Sequence, residues 1–196
     1  MGEKAKIVGE VIIIGLAVVA FGANIIVSAF AVLNEGNGNL GFSTTINNVT
    51  SRYPTAVDSD EWSYVVWGVL YTWQALWLIY GLSFLVRPKA VRTIPLFTYF
   101  FFMLACFFNI TWYYLFGNVI ILGSFPFIIL SPVALIIAAA GSIWKTYTVT
   151  YRLEQNNGGE LWATRVLVHN GLVLFAVWMS VLFLQHMAIV AAYFGA

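Results

Sequence analysis

Two histidines, His169 and His186, are the first residues to weigh for chemistry, and seventeen positions separate them on one apolar stretch. At about 100° per residue they point to different helix faces. They therefore cannot form the i, i+4 pair by which a helix holds zinc. One of them alone retains the chemistry of an axial haem ligand, against the plainer reading of a hydrogen-bonded packing residue. The acids Asp58, Asp60 and Glu61 sit together on a polar segment, where they make a solvated flank and not an opposed catalytic pair. No Ser, His and acid set assembles, and no glycine-rich phosphate loop follows a strand. The single Cys106 permits no internal disulfide and no cysteine-based metal site. No metal ligand set and no catalytic residue are assigned, and a non-enzyme is expected.

The residues that remain are rings and amides. From Trp62 to Tyr80 the chain carries four of its eight Trp, with Trp62, Tyr64, Trp67, Tyr71, Trp73, Trp77 and Tyr80 and no charge or proline. Helical spacing puts Trp62, Trp73, Trp77 and Tyr80 on one face and Tyr64, Trp67, Tyr71 and Gln74 on another. Trp62 and Tyr64 lie where interfacial anchors belong. Trp67, Tyr71 and Trp73 lie deeper, where they either pack against neighbouring helices or wall a pocket for a flat apolar ligand, with Tyr71 and Gln74 as polar handles. Asn24 and Asn109 are amides inside apolar runs. Each needs a partner on another helix or on a ligand, because an unpaired amide in hydrocarbon is costly.

The elements that hold these residues follow from composition. In 196 residues, 61% hydrophobic and 9% charged with mean hydropathy +0.88, the apolar surface exceeds what a soluble core hides. The runs exceed twenty residues and lack the alternation of a barrel strand. The expected architecture is an all-α integral membrane protein, one domain of five spans at about 7–33, 62–86, 93–116, 118–145 and 161–194. A long loop, Asn34 to Glu61, separates the first two spans and is expected to act as a lid or binding loop. Within it Asn48-Val49-Thr50 forms a glycosylation sequon. Glu10 is expected to reach solvent at the start of span one, and Thr146 to Glu160 to be a polar connector. Pro126 and Pro132 should kink span four, and Ala134, Ala138 and Ser142 form a small-residue stripe for packing within the bundle or across a dimer.

Lys4, Lys6, Arg87, Lys89, Arg92, Lys145, Arg152 and Arg165 all fall on the side of the N-terminus, which the positive-inside rule places in the cytoplasm. The long loop and C-terminus then face outside or a lumen. Span two enters from that outer side, and span three brings Asn109 and Trp112 to the same depth. A net charge of +1 with no sizeable basic cluster argues against nucleic acid.

Trp62, Tyr64, Trp67, Leu70-Tyr71, Ala75 and Tyr80, followed by Asn109, Trp112 and Phe116-Gly117, resemble the second- and third-span signatures of the translocator protein family, also called tryptophan-rich sensory proteins. The resemblance implies five spans, a first loop closing over a cavity, and tetrapyrrole (porphyrin or haem) or sterol ligands. The sequence departs from the family at the leading prolines of span two and at His169-Asn170-Gly171 through Trp178 in span five, where a Pro-Tyr followed by Trp is common. The leading expectation is a carrier, sensor or scavenger of an apolar or planar aromatic ligand, with Trp67, Tyr71, Trp73 and Trp112 as walls and Gln74 and Asn109 as hydrogen-bonding groups. Membrane lipid is its other partner. An auxiliary subunit bound to a membrane protein through the Trp73, Trp77 and Tyr80 face, a homodimer, and a small channel or transporter are the alternatives.

Overall fold

The computed structural model describes residues 3–33, 41–55, 63–87, 90–156 and 158–195. Every regular element among them is helical: α1 (Glu3–Leu33), α2 (Ile46–Arg52), α3 (Ser63–Val86), α4 (Leu96–Gly117), α5 (Ile121–Asn156), α6 (Gly158–Ala163), a π-helical turn (Thr164–His169) and α7 (Asn170–Tyr193). With α6, the π turn and α7 forming one continuous pass, five segments are long and apolar enough to cross a membrane. Helices are the form that satisfies each backbone group internally in hydrocarbon. Their outer faces carry exposed Val19, Ile79, Phe107, Leu122 and Val177, a surface suited to lipid.

The passes close into a ring in which α1 packs on α3 and α4, α4 on α5, α5 on α7, and α7 back on α3. The α4–α5 seam is the closest. Ala134, Ala138 and Ser142 are buried in it, and Thr98 Oγ1 donates to the Ala138 carbonyl at 3.0 Å. The small-residue stripe thus packs inside the bundle. Aromatic rings fill the centre of the ring of helices: Phe21 meets Tyr71 and Phe102, and Trp77 meets Phe102 edge-on at 4.9 Å.

Two local expectations are corrected. Glu10 is not solvated; it is buried and ion-paired with Arg92, a partner 82 positions away that no local pattern announces. The Thr146 to Glu160 stretch is not an open connector, because α5 continues to Asn156 and α6 starts at Gly158. Its threonines stay helical by bonding backward, Thr150 Oγ1 to the Thr146 carbonyl at 2.9 Å. Within the long loop lies the short helix α2, which Thr45 caps by accepting from the Asn48 N–H. Pro126 and Pro132 both lie inside α5, which runs through them without a break. Trp62 and the acids Asp58, Asp60 and Glu61 lie outside the described residues.

Candidate ligand cleft

Trp67 and Tyr71, one turn apart on α3, form one wall of a cleft of about 250 Å³. Tyr113 of α4 forms the second wall, and Ile25, Ser28, Ala29, Val32 and Leu33 of α1 form the third. The rings are held from behind. Trp67 packs on Tyr71 at 5.1 Å and on Tyr113 at 6.1 Å, and meets Trp178 of α7 edge-on at 6.0 Å. Phe175 of α7 lies edge-on to both Trp67 and Tyr71. Such offset and T-shaped contacts fix ring orientation, so the wall presented to the cleft is preformed.

The surface of the cleft is largely apolar, and a cluster of polar groups lies buried beside it. Asn109 Nδ2 donates to Asn24 Oδ1 at 3.0 Å, joining α4 to α1. That leaves Asn24 Nδ2 and Asn109 Oδ1 buried without a well-formed hydrogen bond, and the Tyr71 hydroxyl, close to the Asn24, Ser28 and Tyr113 side chains, is also buried without one. Each such group costs about 1–3 kcal/mol while unpaired. A donor, an acceptor and a hydroxyl that can act as either thus lie together behind the apolar surface of the cleft, and a ligand reaches them only if these side chains shift.

The other three residues singled out in the sequence lie elsewhere. Trp73 turns toward the fifth pass and donates Nε1 to the Val166 carbonyl at 3.1 Å, in the π turn. Gln74 is fully buried, donating Nε2 to the Gly171 carbonyl at 2.9 Å and accepting from Trp77 Nε1 at 2.7 Å. The close approach needs Gly171, where a Cβ would come within 2.9 Å of Trp73 Cδ1. Trp112 donates Nε1 to His186 Nδ1 at 3.2 Å, and the other ring nitrogen of His186 lies 3.1 Å from the Ile121 carbonyl. With Nδ1 accepting, Nε2 carries the proton and donates to Ile121. Both nitrogens of His186 are thus engaged within the protein. His169 Nε2 lies 3.1 Å from Thr146 Oγ1.

Of the loop between α1 and α3, residues 41–55 pack at this end of the bundle. Helix α2 packs on α1 and α4, two of the helices that make the cleft. Phe42 is buried against Tyr114 and Gly117, and the Thr44 N–H donates to the Gly117 carbonyl at 3.2 Å. Asn118 Nδ2 bonds the Gly41 carbonyl at 3.0 Å, where a φ of 76° uses the freedom of glycine. On the far side Tyr53 packs on Tyr193, whose hydroxyl donates to the Pro54 carbonyl at 2.9 Å.

Sequence reasoning did not single out the α1 wall or Tyr113. The signal was present: Ile25, Ser28, Ala29 and Val32 follow i, i+3, i+4, i+7 beside Asn24, one helix face carrying small and polar members.

Residues 12–196 match the family model described as TSPO-like protein. No curated protein and no solved structure matches the chain.

Proposed function

The chain belongs to the TSPO-like protein family, and from that premise we propose that it is a non-catalytic membrane binding protein for an apolar, planar ligand carrying at least one hydrogen-bonding group. The ligand enters the cleft between α1, α3 and α4, with the loop over it as lid. The observation that carries this reading is an apolar cleft with preformed aromatic walls, next to which a buried polar cluster includes the hydroxyl of the wall residue Tyr71.

The cleft's 250 Å³ lies just below the range of roughly 300–1,000 Å³ for pockets that enclose drug-sized molecules. It suits a small aromatic body whole, and part of a sterol or one edge of a tetrapyrrole with the remainder toward lipid. Tyr71 and Asn109 act as hydrogen-bonding groups and Trp67 as stacking wall, while Trp73, Gln74 and Trp112 tie α3 and α4 to the fifth pass. The asymmetry of Lys and Arg supports a cytoplasmic N-terminus and a cleft opening in the opposite leaflet.

The subunit reading needs the Trp73, Trp77 and Tyr80 face free. Trp77 is fully buried, and Tyr80 Oη lies 3.1 Å from Thr164 Oγ1, so that face is engaged within the monomer. The channel reading needs a watered path where rings fill the centre.

Tyr71→Phe removes only the unpaired hydroxyl. It is expected to weaken binding of a fluorescent porphyrin two- to tenfold, the equivalent of one hydrogen bond, and Trp67→Ala to weaken it further. Unchanged affinity in both folded variants would remove the site.

A further inference from the structure

A second and larger cavity, about 350 Å³, opens at the opposite end of the bundle among α1, α3, α4 and α5. Ile14, Phe84 and Tyr99 belong to walls that are largely apolar, and Glu10, Arg92 and Lys145 supply its charges. These positions lie near the ends of the spans that begin at Val8 and Leu96 and end at Tyr151, the depth at which a bilayer's apolar region gives way to headgroups. The charges are arranged by depth. The Glu10 side chain is 6% exposed and that of Arg92 is 40% exposed, so the carboxylate is inside and the guanidinium at the mouth. Glu10 engages one nitrogen of a group with five N–H donors, leaving donors of Arg92 for a second acceptor. Lys145 is exposed, and among the described residues it pairs with no carboxylate. Among the described residues, two cations and one carboxylate leave this cavity with an excess of one positive charge. The neighbouring Arg87 is occupied by Glu160 at 2.9 Å and does not contribute.

We infer that this cavity is a binding site for an anionic phospholipid of the adjoining leaflet, its phosphate held by Arg92 and Lys145 and an acyl chain laid along Ile14, Phe84 and Tyr99. A cationic mouth over an apolar pocket between helices matches the two halves of such a molecule, and a soluble anion would use only the first half. The site is separate from the ligand cleft and stands or falls independently of it.

The test is native mass spectrometry of the protein released from nanodiscs of phosphatidylcholine mixed with phosphatidylglycerol, counting retained lipids. Wild type is expected to retain phosphatidylglycerol in preference. Lys145→Gln, which leaves the Glu10–Arg92 pair intact, should cut that preference about fivefold, the effect of one cation near the surface. Glu10→Gln removes the carboxylate that competes for Arg92 and should raise it by a similar factor, a reversal that a merely structural ion pair would not give. Equal retention of the two lipids, or a preference unchanged in both variants, would overturn the site. Displacement of phosphatidylglycerol by millimolar inorganic phosphate would overturn the lipid assignment, and resistance to it supports the role of the chain.

Discussion

Replacing Asn24 and Asn109 together by leucine should make the empty protein more stable and leave it unable to respond to ligand. One interhelical hydrogen bond joins the two amides, and in membranes such a bond contributes about 0.6 kcal/mol on average and about 1.7 at most. Against it stand the two stranded atoms, Asn24 Nδ2 and Asn109 Oδ1, at about 1–3 kcal/mol each. The balance for the empty state is unfavourable, so Asn24→Leu/Asn109→Leu should gain about 1 kcal/mol or more. Asn109→Leu alone strands Asn24 Oδ1 as well and should lose stability, which makes the pair strongly non-additive. Thermal unfolding in detergent with and without protoporphyrin reads both effects. A ligand at a hundred times its Kd stabilises by about 2.7 kcal/mol, and a hundredfold loss of affinity reduces that to about 0.4. A double variant less stable than wild type and still fully shifted by ligand would show that the amides serve only to join helices.

Other expectations follow from the same contacts. Gln74→Ala breaks two buried hydrogen bonds and strands Trp77 Nε1. It should lower stability by about 2–4 kcal/mol in thermal unfolding while leaving the affinity of the folded fraction nearly unchanged. Gly117→Ala would place a Cβ 2.7 Å from Phe42 Cδ1, unseating the loop. Limited proteolysis within residues 41–55 should accelerate, and stopped-flow porphyrin release should quicken. Tyr193→Phe removes the bond to Pro54 and should loosen the far edge of the loop by about 0.5–1.5 kcal/mol, seen as faster amide exchange there.

Uninterrupted apolar runs made the five passes legible, because in hydrocarbon length and apolarity alone decide a span. The π turn was not legible, since Thr164–His169 has no composition that distinguishes it from the helix around it. The need of Asn109 for a cross-helix partner was legible, but its identity, Asn24, depended on ring order and not on local pattern. Gln74 and Trp73 were grouped with the pocket because a helical wheel gives faces without saying what each face meets. The fifth pass met theirs, and Gly171, the residue that permits this, is seen only once the helices are assembled. Glu10 looked solvated because it lies close enough to the start of span one to reach the interface, and Arg92 reaches it only through the fold.

The most direct test is photolabelling with a diazirine-bearing porphyrin followed by peptide mapping. Labels are expected on Ile25–Leu33 and on the α3 segment from Trp67 to Tyr71, lost on competition with unmodified porphyrin. A second apolar groove of about 410 Å³ runs between α5 and α7 past Ile136, Ile143, Val173 and Leu184. Competable labelling confined to that groove, with the α1 and α3 peptides unmarked, would contradict the cleft as the ligand site.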